Sequence, residues 1–220
     1  MKQIRRNGFA FLTGIILLLT GLSVQADDFT TKDLNEEQIL ALSWVQNSAE
    51  FKALAHQAFN LARLRWDART DSMKKECVVV DVDETIIDNS PFNAGLIGKN
   101  YGYGNSSWKE WCNDMSARAI PGAVPFLNHV AATGGEVFYL TNRKSMPDKG
   151  IDLKEVTMKN LTALGFPMVD DKHMLMRTGT SKKQPRRDSI SDMGYNIVLL
   201  MGDNLADFDE AFDGDTMPAR

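Results

Sequence analysis

Polar and apolar positions follow two different periods along this chain. From residue 39 to 68 the apolar positions recur at threes and fours (Leu40, Trp44, Phe51, Leu54, Ala55, Phe59, Leu61 and Leu64), with charged or amide residues between them. This is the helical period. It predicts one or two amphipathic helices after a polar lead-in over residues 27–37. The texture then changes: Cys77-Val78-Val79-Val80 is a short β-branched run with no polar position to face water. Such a run predicts a strand covered on both faces. Similar runs recur at residues 137–140, 174–176 and 197–201.

Helical stretches separate these runs. Residues 122–133 start after Pro121 and stop at Gly134-Gly135, residues 152–164 stop at Gly165, and residues 185–193 stop at Gly194. Glycine suits the left-handed residue that closes a helix. Short apolar strands alternating with helices of this length predict an α/β fold, a doubly wound parallel sheet with helices on its faces. Roughly fifty residues separate the first two strands, more than a crossover needs. The excess, about residues 90–120, is an insert rich in Gly, Asn and aromatics over residues 100–105, followed by a short helix with Trp108 and Trp111 one turn apart. An insert after a central strand of such a sheet stands over the ligand crevice. Tryptophans packed onto the sheet are the plainer alternative.

The start of the chain has a separate character. Lys2, Arg5 and Arg6 precede an apolar stretch over residues 9–22, and Val24-Gln25-Ala26 places small residues at a cleavage position. Residues 1–26 therefore read as a signal peptide, too short in their apolar part for the ~20 residues of a spanning helix. An uncleaved membrane anchor is the competing reading. The expectation is an exported protein, periplasmic or secreted, with residues 27–220 as one domain: N-terminal helices over 27–75 and an α/β core over 76–220. No cysteine stands near residue 26 to carry a lipid, so outer-membrane tethering is not supported.

Composition adds two exclusions. The 220 residues are 43% hydrophobic and 25% charged, the balance of a globular protein. The net charge is −4, and without residues 1–26 it becomes 22 basic against 29 acidic side chains, or −7. That excludes a binder of nucleic-acid polymers. Export would permit a disulfide between Cys77 and Cys112, the alternative being two separate buried thiols. His56, His129 and His173 lack the spacing of metal ligands.

The chemistry lies at the ends of the apolar runs. The first ends in Asp81-Val82-Asp83-Glu84-Thr85 and the second in Thr141-Asn142-Arg143. The third is followed by Ser181-Lys182-Lys183, and the fourth ends in Gly202-Asp203-Asn204-Leu205-Ala206-Asp207. In a parallel sheet the carboxyl ends of the strands share one edge, so these groups converge. Several buried carboxylates with a hydroxyl and an ammonium are costly unless a hard cation and an anion join them. Carboxylate oxygens with a substrate phosphate suit Mg²⁺. An EF-hand calcium loop is excluded, because Ile86 occupies the position that must be glycine. The Asp81-x-Asp83 spacing lets one carboxylate attack phosphorus while the second protonates the leaving oxygen. Asp203 would complete a metal site, with Asp207 one turn further on in support.

DVDETIIDNSPF (residues 81–92) and IVLLMGDNLADF (residues 197–208) resemble the two signatures of the bacterial class C acid phosphatases. These are secreted members of the haloacid dehalogenase superfamily that include outer-membrane lipoprotein 5′-nucleotidases. WVQNSAEFKALAHQAFNLAR, RAIPGAVPFLN, VFYLTNR and DMGYNIVLL extend the resemblance over about residues 39–214. It implies a Mg²⁺-dependent phosphomonoesterase, with small phosphate monoesters such as 5′-nucleotides as substrates. Asp81 would be the nucleophile and Asp83 the general acid/base. Mg²⁺ would lie on Asp81, the Asp83 carbonyl and Asp203. Thr141, Asn142 and a lysine would bind phosphate, and matching the family's Lys-x-x-Arg to Lys183 and Arg186 favours Lys183 over Lys182. Phe92 would be an aromatic shelf for the substrate. Relatives of this kind continue beyond the position matching Arg220, so a catalytically dead truncated relic is one alternative. A phosphoacceptor module of the receiver type is another, although export and the proton donor at Asp83 both argue against it.

Overall fold

The structure, a computed structural model, describes residues 29–70, 75–145 and 150–212; the signal peptide expected over residues 1–26 lies outside them. Helices α1 (Thr31–Glu37), α2 (Ile39–Asn47) and α3 (Ala49–Asp67) lead into β1 (Lys75–Val80). The insert follows as β2 (Ile87–Asp88), α4 (Ser90–Leu96), α5 (Asn105–Asp114) and β3 (Arg118–Ala119). The core then alternates: α6 (Ala123–Ala132), β4 (Glu136–Lys144), α7 (Leu153–Ala163), β5 (Met174–Arg177), α8 (Gln184–Asp192) and β6 (Tyr195–Met201).

Strands β5-β4-β1-β6 form, in that order, a parallel sheet, with Val78 opposite Val137 on one side and Leu199 on the other. β2 and β3 pair antiparallel at the neck of the insert. Alternate residues of β1 face opposite sides. Val78 and Val80 pack with Phe59, Trp66, Phe126, Leu127 and Leu161 from α3, α6 and α7. Cys77 and Val79 pack with Ile190 of α8 and with Phe138, Leu140 and Tyr195. This two-faced burial is why the run lacks a polar alternation, and it makes the sheet doubly wound as expected. Cys77 and Cys112 are both buried and unpaired. They belong to clusters on opposite faces of the sheet, which keeps them apart.

Three features differ from the sequence pattern. The polar lead-in contains α1, started by a capping box between Thr30 and Asp33. It docks through a buried amide: Asn35 Nδ2 donates to the Lys99 and Tyr101 carbonyls at 3.0 Å each, so no apolar period announces it. In α3 the buried stripe is Phe59, Ala62 and Trp66, whereas Leu61 and Leu64 are 60% and 66% exposed. Leu61 lines an open groove of about 450 Å³ between α3 and β6, one edge strand of the described sheet, whose residues 197–201 are only half-buried. Finally, β4 runs past the apolar residues to Lys144, which pairs with Arg177 of β5. Among the described residues no helix is long and apolar enough to cross a membrane.

Candidate active site

The predicted residues meet at the carboxyl edge of the sheet. β1 ends at Val80, and the Asp81 N–H continues the ladder by donating to the Met201 carbonyl at 2.9 Å. The chain then doubles back. Ile86 N–H and Ile87 N–H both return to the Val82 carbonyl, with Glu84 in a left-handed conformation at φ +57°. That turn brings Thr85 Oγ1 within 3.2 Å of Asp81 Oδ2 and 3.4 Å of Asp203 Oδ1.

Carboxylate oxygens of Asp81, Asp203 and Asp207 all lie within 4.8 Å of one another. Asp207 reaches this cluster from a 3-10 turn over Leu205–Asp207, capped reciprocally with Asn204, and not from the α-helix its spacing suggested. Buried Arg187 holds the turn by donating to the Asp207 carbonyl at 2.6 Å. Gly202 is required beside it, because a Cβ there would stand 2.2 Å from Asp207 Oδ2. The ammonium of Lys183, itself only 4% exposed, contacts Asp81 Oδ1 and lies 2.7 Å from Asp207 Oδ1. Lys182, the neighbouring lysine, is exposed.

Negative charge here exceeds what Lys183 offsets. Burial pushes the Asp81 carboxyl up to about 7 against the pull of Lys183, and Asp83 and Asp207 add to the rise. Burial and the neighbouring Asp207 raise Asp203 as well. Glu84 is pushed up to about 7 by burial and by Asp83. Three converging carboxylates with unmet demand for positive charge fit a hard divalent cation bound through oxygen. The residues that would hold such a cation are Asp81, Asp203 and Asp207.

The Asp83 carboxylate is engaged differently. The buried Arg143 guanidinium grips it, with Nη2 2.7 Å from Oδ1 and Nε 3.1 Å from each oxygen. Asn89 Nδ2 donates to Oδ1 at 2.9 Å, and Thr141 Oγ1 donates to Oδ2 at 3.3 Å. Because β4 continues as a strand, Thr141 and Arg143 share one face and Asn142 points the other way. Asn142 is exposed and accepts from Arg186 Nη2 at 2.7 Å, while Arg186 Nη1 donates to the Thr141 carbonyl at 2.6 Å. A cavity of about 320 Å³ opens over these groups, lined by Asp81, Asp83, Asn142, Lys183, Asp203 and Asp207 among others. A second, also about 320 Å³, shares Asp83, Glu84 and Asn142 with it and is walled by Tyr103 and Trp108 of the insert.

Phe92 is not an open shelf. It is 8% exposed and sits behind that wall, its ring centroid 5.2 Å from Trp108 and 6.0 Å from Tyr103. An apolar ring at the start of α4 buries itself more favourably under the insert than in the cavity. Sequence reasoning assigned no role to Arg143 or Arg187. For Arg143 the signal was its place two residues after Thr141 in a strand.

The chain matches the family described as HAD superfamily, subfamily IIIB (acid phosphatase) over residues 18–219. Two solved structures of the class C acid phosphatase from Bacillus anthracis, one with tungstate bound, are similar at 35% identity and a TM-score of 0.74. They cover 80% and 82% of this chain, and 72% and 74% of the Bacillus chain. The stem 31 kDa glycoprotein of Glycine max is 25% identical over 172 residues, 74% of this chain and 61% of the relative. Acid phosphatase 1 of Solanum lycopersicum is 28% identical over 140 residues, 59% of this chain and 50% of the relative. The chain thus spans less than two thirds of the length of these plant relatives. A match over nearly the whole chain, with the motif carboxylates gathered at one sheet edge, carries the assignment: the chain belongs to subfamily IIIB of the HAD superfamily, the acid phosphatases.

Proposed function

We propose that this protein is an exported acid phosphatase that hydrolyses small phosphate monoesters, 5′-nucleotides among them, with Mg²⁺ bound by Asp81, Asp203 and Asp207 and through an aspartyl-phosphate on Asp81. The observation that carries the reading is the separation of two carboxylate environments two residues apart. Asp81 is packed among other carboxylates and a buried lysine, whereas Asp83 is wrapped in hydrogen-bond donors. Two carboxyls whose surroundings differ in this way suit two roles, nucleophile and acid/base. Bound there, Mg²⁺ would offset the charge that builds on the phosphoryl oxygens.

Asp81 attacks phosphorus in line while Asp83 gives a proton to the leaving oxygen. Asp83 then takes a proton from the water that hydrolyses the acyl phosphate. Lys183 and Thr141 stand beside these carboxylates and orient the phosphoryl oxygens, with Asn142 at the cavity wall. The tetrahedral oxyanion in the tungstate-bound Bacillus structure supports an anion-binding site in this subfamily. Tyr103 and Trp108, with Phe92 behind them, offer a face for a planar leaving group such as a nucleoside. Export rests on the basic-then-apolar residues 1–26.

The test is phosphate release from an aryl phosphate by the purified protein, with Mg²⁺ and with chelator, beside an Asp81→Asn variant. The expected result is Mg²⁺-dependent turnover that falls by at least about 10³-fold in the variant. Folded protein that releases no phosphate would overturn the reading.

A further inference from the structure

The insert does more than wall a cavity. Trp111 Nε1 donates to Asn89 Oδ1 at 2.9 Å, and Asn89 Nδ2 donates in turn to Asp83 Oδ1 at 2.9 Å. The two ends of this chain leave the amide no freedom. An indole N–H only donates and an ionised carboxylate only accepts, so the Asn89 oxygen must face Trp111 and its NH₂ must face Asp83. The Asn89 backbone is held too, its N–H donating to Glu84 Oε1 at 3.2 Å.

The consequence falls on the two oxygens of Asp83. Oδ1 receives Asn89 at 2.9 Å and Arg143 at 2.7 and 3.1 Å, all from groups that cannot accept. Oδ2 receives only Arg143 Nε at 3.1 Å and the Thr141 hydroxyl at 3.3 Å. We propose that Trp111 and Asn89 are positioning residues for Asp83, holding its carboxylate through Oδ1 beside Arg143 so that the group keeps one orientation towards the leaving oxygen. The proposal rests on the phosphatase reading above for its chemistry, though the hydrogen-bond relay itself does not.

In the first step a proton on the Asp83 carboxyl moves to the leaving oxygen as its bond to phosphorus breaks and the Asp81–phosphorus bond forms. In the second, the Asp83 carboxylate takes a proton from water as the water oxygen bonds to phosphorus and the Asp81–phosphorus bond breaks. Without the indole N–H the Asn89 oxygen loses its partner, and the amide no longer holds the Asp83 carboxylate in one place. Trp111 also touches Phe92, with centroids 6.4 Å apart, so the relay starts in the same aromatic cluster that walls the leaving-group cavity.

The test pairs two substrates and two variants of the full chain. An alkyl phosphate needs its leaving oxygen protonated; a nitrophenyl phosphate leaves as a stable anion and does not. Trp111→Phe keeps the ring packing and removes the donor, and should lower kcat/KM for the alkyl ester about tenfold but for the aryl ester about twofold or less. Asn89→Ala should show the same split, and the double variant should be no worse than the single ones. Equal losses on both esters, or additive losses, would overturn the proposal and leave Trp111 as packing only. The indole resonance of Trp111, identified by its loss in Trp111→Phe, gives a readout without turnover. It should shift in Asp83→Asn as well as in Asn89→Ala. A resonance indifferent to both would sink the relay, whereas a shifted resonance in a protein that hydrolyses neither ester would sink the phosphatase reading and keep the relay.

Discussion

The two ends of the central sheet both collect charge, and they use it in opposite ways. At the amino end, Glu136 opens β4, His173 precedes β5 and Tyr195 opens β6. Glu136 Oε2 lies 2.5 Å from Lys172 Nζ and 2.8 Å from His173 Nε2. His173 Nδ1 lies 2.8 Å from Asp170, and Lys172 donates onward to the Tyr195 hydroxyl at 2.6 Å. Each of these carboxylates has a partner, and through Glu136 and Lys172 the network ties β4, β5 and β6 together. At the carboxyl end, Asp81 and Asp207 share one lysine and, with Asp203, face a cavity. Satisfied charge at one end fixes the sheet; unsatisfied charge at the other is available to a cation and a substrate.

The largest effect expected from disturbing this contrast is at Lys183. Lys183→Met keeps most of the side-chain volume but leaves Asp81 and Asp207 buried without a cation, a loss of about 3–5 kcal/mol. Thermal unfolding should show it, and Mg²⁺ should raise the Tm of the variant more than that of the unaltered protein. An unchanged Tm would mean that the lysine is not what compensates the cluster.

Two glycines sharpen the comparison, since each abuts one end. At Gly202 a Cβ would meet Asp207 at 2.2 Å, and at Gly135, just before Glu136, it would meet the Trp66 ring at 2.2 Å. Gly202→Ala should cost phosphate release about 10²-fold by moving one carboxylate, with unfolding little changed. Gly135→Ala should cost about 1–3 kcal/mol of stability by overpacking, with kcat nearly unaltered. Kinetics and melting of the pair would refute the division of labour if each variant lost both.

The smallest effect concerns acid. Burial works against ionisation of Glu136, but hydrogen bonds from Lys172, His173 and Tyr195 outweigh it and bring the carboxyl down to about 2. A depressed carboxyl stabilises the fold above its unfolded value, and the contribution fades as pH falls towards the folded one. Glu136→Gln should therefore lower Tm by about 2–4 °C near pH 6, the shift expected for roughly 1 kcal/mol in a chain of this size. The difference from the unaltered protein should shrink between about pH 4.5 and 2. A difference that grew on acidification would contradict the assignment.

Much of this arrangement is legible in the amino-acid sequence. Four apolar runs with intervening helices specify the parallel sheet, because the period of burial depends only on neighbouring residues. The carboxylates at 81, 83 and 203 stand out for the same reason: they follow apolar runs whose ends must share an edge. α1 is hidden because its docking contact is the Asn35 amide. The buried stripe of α3 is displaced from the one its period suggests, because Leu61 and Leu64 carry the right spacing yet stay exposed, Leu61 along an open groove.

What the sequence determined by itself is the order of elements and the set of groups delivered to the carboxyl edge. Tertiary structure alone decided how those groups are partnered. It set Lys183 against Asp81, turned Asn142 outward and Arg143 inward, and buried Phe92. It also linked Trp111 to Asp83 through Asn89. The reason is distance along the chain. A strand or helix period is written within a few residues, but Arg143 and Asp83 are 60 positions apart, and Lys183 and Asp81 are 102. Which of several polar side chains meets a given carboxylate depends on strand register and on which face each one leaves by, and those are properties of the packed sheet.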